Sequence, residues 1–165
     1  MLIETDSIRL GRSIANRSFS GLMDLYEQNY IRLRKIAPDL GVADNMISSV
    51  AGNHDLFLSV HDRCRYTTML SMTYRFGKPG HYLYEPDLHL KMYHDAKVVD
   101  VQHLHSRSKG LIVADDLLNK KWTTNRYLFK WLGYCLYQRH FFQPLIQLKT
   151  RKKANDPLLK KHVSH

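Results

Sequence analysis

The sequence predicts an α+β fold: a single antiparallel meander sheet of four to five strands, with an N-terminal helix and a C-terminal helix packed on it. Two observations predict it. Near both ends of the chain, apolar residues recur at three- and four-residue steps, as they do on one face of a helix. Between these regions, apolar and polar residues alternate in segments joined by short turns, and parallel strands would need longer crossovers.

The first helix is predicted from residue 20 to Ile36. One face of this amphipathic helix is formed by residues at three- and four-residue steps: Leu22, Leu25, Tyr26, Asn29, Leu33 and Ile36. Ser18 or Ser20 can accept a hydrogen bond from a free N–H group of the first turn, and Pro38 follows the end.

The last helix is predicted from Tyr127 to Leu136, with Thr123 or Thr124 as its N-cap. Its apolar positions are Tyr127, Leu128, Trp131, Leu132, Cys135 and Leu136. We expect this helix to cover the sheet, because burial of a large side chain contributes roughly 1.5–3 kcal/mol. The preceding stretch, Ser106 to Trp122, is interpreted either as a loop or as a loop that contains a short helix.

The strands are predicted between these helices, over Met46–Val50, Leu56–His61, Tyr66–Phe76, Leu88–Tyr93 and Lys97–His105. Ala51-Gly52-Asn53 is the first hairpin turn, since Gly and Asn tolerate a positive φ. Gly77-Lys78-Pro79-Gly80 is predicted to end the third strand.

Length and composition indicate one globular domain. A chain of 165 residues can bury roughly two-thirds of its unfolded surface. We predict a weakly ordered lead-in at residues 1–19, a single domain at 20–147 and a basic tail at 148–165. Glu4 and Asp6 interrupt any signal-peptide pattern, and no run approaches the roughly 20 apolar residues of a membrane span. Cys64 and Cys135 form no CxxC pair, so we expect a reducing cytoplasm.

The net charge of +10 and the pI near 9.7 favour an anionic partner such as nucleic acid, anionic lipid or acidic protein. Part of the excess lies in the tail, where the candidate anion-binding residues are Lys149, Arg151, Lys152 and Lys153. A tail of this kind is either a solvated appendage or a dedicated anion-binding arm.

Histidines raise the question of a metal. His103-x-His105 would place two imidazoles on one side of a strand, but a zinc site needs three or four ligands. The chain has no HExxH motif and no Cys/His quartet, and it lacks GxGxxG, GxxxxGK[ST] and GxSxG. We therefore expect neither a metal nor a cofactor.

Three blocks of the sequence together resemble the YqiB-like family of bacterial proteins, whose function is unknown. They are Arg65-Tyr66-Thr67-Thr68, Met92-Tyr93-His94-Asp95-Ala96 with Val99 and Val101, and Asn125 with Leu128, Trp131, Leu132, Cys135 and Leu136. The resemblance covers most of Leu22 to Leu136. Where the family has a Tyr-Pro-Asn turn and an Asp-Glu-Lys cluster, this chain reads approximately Gly110-Leu111-Ile112 and Asn119-Lys120-Lys121. Any family activity that needs that acidic pair would therefore be lost here.

Two functions remain open. The first is a non-enzymatic binding module for nucleic acid or acidic protein, in which tyrosines beside Lys and Arg stack on bases; the aromatic candidates are Tyr66, Tyr74, Tyr82, Tyr84, Tyr93 and Trp122. The second is a small-ligand-binding protein or enzyme with a polar pocket; its candidate ligand-binding residues are Arg65, Tyr66, Thr67, Tyr93, His94, Asp95 and Asn125. His94 can exchange protons near neutral pH, and Arg65 can bind phosphate or carboxylate unless it pairs with Asp62 or Asp95. The sequence favours binding over catalysis.

Overall fold

The computed structural model describes residues 17–41, 43–107 and 116–143. Two helices and five strands occur in this part of the chain: α1 (Phe19–Ile36), β1 (Asn45–Ser48), β2 (Asp55–Arg63), β3 (Thr67–Lys78), β4 (His81–Tyr93), β5 (Val98–His105) and α2 (Leu117–Tyr137). The strands form one antiparallel sheet in the order β1-β2-β3-β4-β5. The predicted α+β meander with a helix at each end is confirmed.

Helix α1 begins and ends where its capping residues predict. The Ser18 side chain accepts a hydrogen bond from the Gly21 N–H at 3.0 Å, so the first of the two candidate N-caps is the one used. The helix ends at Ile36, because Ala37 precedes Pro38 and a residue before proline disfavours helical dihedrals. Arg34 and Lys35 lie in the last turn, where positive charge complements the helix dipole.

Strand β4 begins seven residues earlier than predicted. The Pro79-Gly80 stretch does not interrupt the sheet; it is the two-residue turn of a β3–β4 hairpin, with Gly80 at φ +86°. Pro86 lies inside β4 at the register shift between Met72 and Tyr74, where a residue without an N–H group is tolerated. The sequence pattern failed here because a proline inside a strand resembles a strand end.

Helix α2 begins ten residues before the predicted start. Its N-cap is Asp116, whose carboxylate accepts the Asn119 N–H at 3.0 Å. Thr123 and Thr124 are not caps; they lie inside the helix and donate to the carbonyls of Asn119 and Lys120 at 2.8 and 3.0 Å. Such bonding back to the preceding turn lets Thr occupy a helix interior.

Both helices pack on the same face of the sheet. The main core joins Leu33 and Ile36 of α1 and the predicted apolar face of α2 to the inward side chains of β2 to β5. Trp122 packs with Leu22 and Leu25 in a second cluster between the two helices. The opposite face of the sheet, the outer face, is covered by neither helix. No helix in the described part of the chain is long and apolar enough to cross a membrane.

Candidate anion-binding site

Most of the predicted ligand-binding residues meet at one end of the β3–β4 pair. Arg65 and Tyr66 lie in the loop before β3, and Thr67 is in register with Tyr93 at the end of β4. The His94 N–H donates to the carbonyl of Tyr66 at 2.8 Å, which extends the pairing by one step. Segments almost thirty positions apart in sequence are therefore neighbours, as the antiparallel arrangement requires.

The His94 side chain is held by its neighbour on β3. Its Nε2 shares a hydrogen bond of 2.7 Å with Oγ1 of Thr68, which is almost fully buried. Asp95 follows in an exposed turn, one residue beyond the end of the pairing. His94 is therefore fixed in orientation, whereas Asp95 faces solvent.

An open depression of about 410 Å³ lies beside this strand end. The side chains that line it include Arg34, Arg63, Arg65, Thr68 and His94, and we call it the arginine depression. Arg34 comes from the last turn of α1, where its side chain is exposed. Its basic character in a last turn was visible in the sequence, but its proximity to Arg65 was not.

The three arginines differ in their partners. All three nitrogens of the Arg63 guanidinium have partners within the protein. They donate hydrogen bonds to the Asp44 carboxylate at 2.5 Å and to the carbonyls of Leu40 and Ala43 at 2.9 and 2.7 Å. Within the described residues, Arg34 and Arg65 form no ion pair.

The Arg65 guanidinium lies 5.1 Å from the centre of the Tyr66 ring instead, a cation–π distance. The alternative in which Asp62 or Asp95 neutralises Arg65 is therefore not what the structure shows. Two exposed guanidinium groups remain available to a carboxylate or phosphate, which they bind well because of their paired N–H donors.

The side chains around the depression are better suited to binding than to bond-breaking. The Cys64 thiol also lines it, but its hydrogen bond goes to the carboxylate of Asp62 at 3.4 Å rather than to His94. Asp39, the one acid in the lining, accepts the Gly41 N–H at 3.0 Å. Covalent catalysis needs a nucleophile paired with a base. The one hydroxyl that is bonded to His94 in this group of residues belongs to Thr68, which is almost fully buried and therefore poorly accessible to a substrate.

Asn125 lies apart from this depression. Its Oδ1 accepts the backbone N–H of Val101 at 3.0 Å, and its Nδ2 donates to Asp100 Oδ1 and to the Lys121 carbonyl, both at 2.9 Å. Its own carbonyl accepts from Asn29 Nδ2 at 3.1 Å. Asn125 is completely buried and joins α2 to the edge strand β5 and to α1. These bonds give it a structural role that the sequence pattern did not reveal.

The outer face of the sheet presents a second group of predicted residues. Tyr82 and Tyr84 are exposed there, and Tyr84 meets Phe57 edge-on at 5.9 Å. The Arg75 guanidinium lies 4.5 Å from the Tyr82 ring and is also paired with Asp55.

Two of the six aromatic residues that were proposed to stack on bases are not accessible to a nucleic acid. Tyr74 and Trp122 are buried in the core, so that part of the prediction is wrong. Tyr74 lies on the inward side of β3, and Trp122 lies in α2, where it packs against Leu22 and Leu25 of α1.

Histidines also gather on the outer face. The ring centres of His61 and His89 are 5.9 Å apart, and those of His89 and His103 are 5.7 Å apart. His105 is exposed on β5, as is His103. Among the described residues, no group of three or more His, Cys, Asp or Glu side chains could hold a metal ion. The predicted tail residues Lys149, Arg151, Lys152 and Lys153 lie outside the described residues, so the anion-binding arm stays a prediction, as do the boundaries of the lead-in and tail.

Fold and site together define the class of this protein. It is a small α+β domain in which two helices cover one face of a five-stranded antiparallel meander sheet, and arginines without an ion pair lie near one end of that sheet. The chain belongs to the family described as proteins of unknown function (DUF1249), whose model matches residues 32–141. This stretch contains every residue that lines the arginine depression.

The resemblance to YqiB is confirmed by individual relatives. The chain is similar to the uncharacterised protein YqiB of three Escherichia coli strains, K12, O6:H1 and O157:H7. Each is 27% identical over 124 residues, which covers 72% of this chain and 88% of the relative. No solved structure matches the chain.

Proposed function

We propose that this protein is a non-enzymatic binding module for an anionic partner, and that Arg34 and Arg65 bind its acidic groups. The observation that carries the proposal is that both guanidinium groups border one open depression without an ion pair among the described residues. An arginine left without a carboxylate is available to an external anion. The net charge of +10 supports the same choice, because it attracts anionic partners over a longer range.

Nucleic acid is the partner that the exposed side chains favour. Tyr66 stands beside Arg65, so a base that follows a bound phosphate would find a ring to stack on. Tyr82, Tyr84 and Arg75 offer the same combination on the outer face. An acidic protein would use the arginines but would gain little from exposed tyrosine rings. We place this binding in the cytoplasm, where Cys64 would remain a free thiol.

The second candidate, a small-ligand protein, is favoured by one observation. Arg65 and His94 line the same depression, and its volume of about 410 Å³ is within the range of roughly 300–1,000 Å³ that is common for small-molecule sites. Its openness to solvent, and the burial of the Thr68 hydroxyl that bonds His94, argue for recognition of an anionic group rather than for a reaction. An anionic metabolite would therefore bind through the same two arginines.

The test compares two double variants of equal charge. Arg34→Ala/Arg65→Ala removes the proposed contacts, and Lys35→Ala/Lys130→Ala removes two exposed charges from the helices outside the depression. Binding of a labelled single-stranded RNA is measured by fluorescence anisotropy at low and physiological salt. If two phosphate contacts are lost, the arginine variant should bind about tenfold more weakly or worse, and the slope of log K against log salt should fall by about 1.4 (roughly 0.7 per contact). The lysine variant should keep most of the affinity and the slope.

Several results would contradict the proposal. Equal losses in the two double variants would mean that only net charge matters. Binding that disappears when the chain is truncated after Gln147, but is unchanged in the arginine variant, would assign the activity to the tail. Binding of polyglutamate, but not of RNA or DNA, through the same arginines would keep the anion-binding role but would refute nucleic acid as the partner in favour of an acidic protein.

A further inference from the structure

A groove runs along β1, the strand at one edge of the sheet. Its volume is about 360 Å³, and it is lined by β1, by residues next to that strand and by Phe141, Phe142 and Gln143; we call it the β1 groove. Two apolar side chains of its lining, Ile47 and Phe141, are 59% and 43% exposed. The β1 groove therefore presents apolar surface to solvent at an edge of the sheet.

The backbone of β1 has hydrogen-bonding groups on the side away from β2. The carbonyl of Asp44 accepts the Val60 N–H at 2.7 Å, so these two residues are a hydrogen-bonded pair. Such pairs alternate with non-hydrogen-bonded ones in an antiparallel ladder, so the N–H and C=O groups of Asn45 and Ile47 point away from β2. Among the residues that the structure describes, those of Ile47 have no backbone partner.

The other edge of the sheet is closed where α2 crosses it. In β5, the Val101 N–H donates to Asn125 Oδ1 at 3.0 Å, and the Val101 carbonyl accepts from Lys121 Nζ at 3.1 Å. Proteins protect edge strands by such cover, by charged residues or by proline, because a bare apolar edge pairs readily with another strand. The sequence of β1, Asn-Met-Ile-Ser, contains neither a charge nor a proline. An additional strand would satisfy this edge.

Chain connectivity selects the segment that can supply this strand. Residues 108–115 adjoin β5, at the opposite edge of the sheet. Residues 1–16 precede α1, whose 18 residues span about 27 Å, and it is the far end of that helix that lies near the groove, since the Phe142 N–H donates to the Ile36 carbonyl at 2.8 Å. Residues 144–165 begin in the groove itself, because Gln143 lines it.

The first residues after Gln143 suit an edge strand. Pro144 has no N–H group, which is tolerated where a strand begins. Leu145-Ile146-Gln147-Leu148 follows with three apolar side chains and no charge, and the basic residues begin only at Lys149. Because this segment is attached to the domain by a single residue, its effective concentration at the groove is at least in the millimolar range.

A second copy of the protein suits the groove less well. Each copy carries a net charge of +10, so two copies repel each other. A strand of only four residues would also bury far less than the roughly 1,200 Å² of a stable interface when paired with its equivalent.

We propose that residues 145–148 pair with the free edge of β1 as a sixth strand of the sheet. They would bond to the outward N–H and C=O groups of β1 and cover the apolar side chains of Ile47 and Phe141, as in peptide recognition by strand addition. This pairing would also fix the place where the basic tail leaves the domain. The inference goes beyond the anion-binding function and does not need it to be correct.

The experiment measures amide hydrogen exchange of the isotope-labelled full-length protein by NMR. An amide at a free edge exchanges rapidly, whereas one that bonds to a neighbouring strand is protected. Ile146→Asp/Leu148→Asp places two charges in the proposed strand and should make the Ile47 amide exchange at least about tenfold faster. Leu158→Asp/Leu159→Asp makes the same change further along the tail and should leave the Ile47 rate unchanged. The amide of Leu70, in the central strand β3, reports the fold and should be unaffected by both variants.

A change in β1 gives the reciprocal test. Ile47→Lys places a charge on the edge, so the amides of residues 145–148 that are protected in the unmodified protein should exchange at least about tenfold faster. Ile31→Lys makes the same change at an exposed position of α1 and should leave these amides protected.

Three outcomes would overturn the inference. The first is an Ile47 amide that exchanges as fast as that of an unstructured peptide in the unmodified protein, and the second is equal acceleration in the two tail variants. The third is protection of Ile47 that increases with protein concentration, because it would assign the partner strand to a second copy. Arg34→Ala/Arg65→Ala should not change the Ile47 rate, so failure of the anion-binding proposal would leave this result intact. An unprotected Ile47 would likewise leave the anion-binding proposal intact.

Discussion

Asn125 gives the sharpest test of the structural reasoning, because the sequence placed it among candidate ligand-binding residues and the structure places it in a buried network. Asn125→Ala leaves the buried Val101 N–H without an acceptor, which costs about 1–3 kcal/mol. It also removes the two hydrogen bonds that Nδ2 donates to Asp100 and Lys121, at about 1 kcal/mol net each. Because Lys121 Nζ still pairs with Asp100 at 2.8 Å, part of the network survives. We therefore expect a total loss of about 3 kcal/mol.

The assay is urea unfolding followed by the fluorescence of the buried tryptophans, Trp122 and Trp131. With an m-value of about 2 kcal/mol/M, the unfolding midpoint should fall by about 1.5 M. Arg126→Ala, an exposed change at the next position of the same helix, is the matched control and should cost less than about 0.5 kcal/mol.

A third variant separates the acceptor from the donor. Asn125→Asp keeps an oxygen for the Val101 N–H but sets a second carboxylate against Asp100, so it should destabilise the fold at neutral pH and recover partly as the pH falls and a carboxylate becomes protonated. An Asn125→Ala midpoint as high as that of Arg126→Ala would refute the idea that this side chain holds α2 to the edge of the sheet.

Two further predictions concern turn geometry and thiol chemistry. Gly77 and Gly52 have φ values of +95° and +80°, but only at Gly77 would an added Cβ collide with a backbone atom, the carbonyl of His81. In the same urea assay, Gly77→Ala should therefore lower the free energy of unfolding by at least about 1 kcal/mol more than Gly52→Ala does. Burial raises the pKa of the Cys135 thiol to about 12, which leaves about one thiolate in ten thousand at pH 8, so iodoacetamide should modify only Cys64 in the folded protein. Mass spectrometry should find one added group in the native state, two in urea and none in native Cys64→Ser; rapid native labelling of Cys135 would disprove its burial.

Periodicity was enough to predict most of the fold, because burial of one face leaves a regular trace in the sequence. The sheet shows it clearly: Leu56 and Leu58 face the core, and Phe57 between them lies on the outer face. Element ends were predicted less well. Because Pro86 resembles a strand end, the first half of β4 was not predicted. The N-cap of α2 was assigned to Thr123 or Thr124, whereas Asp116 is the actual N-cap. A cap and a tolerated proline depend on local hydrogen bonds, which an apolar pattern does not report.

The candidate site was predictable only in part. Arg65 and His94 could be expected to approach each other once β3 and β4 were recognised as neighbours in a meander. Arg34 could not be assigned to the same depression, because the way α1 lies across the sheet has no signature in the spacing of its residues. The cavity lined by His54 and His140 could not be predicted for the same reason, because these residues are 86 positions apart and neither lies in a recognisable motif.

By itself, the amino-acid sequence determined the α+β class, the antiparallel order of the strands, the apolar face that covers the sheet and the basic character of the chain. Each of these depends on residues close together in the sequence or on composition. Only the tertiary structure decided which polar residues are available to a partner. The hydrogen bonds of Asn125 are made to β5, and those of Arg63 are made to Asp44 and two backbone carbonyls. Arg34 and Arg65, in contrast, have no ion pair among the described residues. Whether a polar group is satisfied depends on partners from distant segments, and those become neighbours only when the helices pack on the sheet.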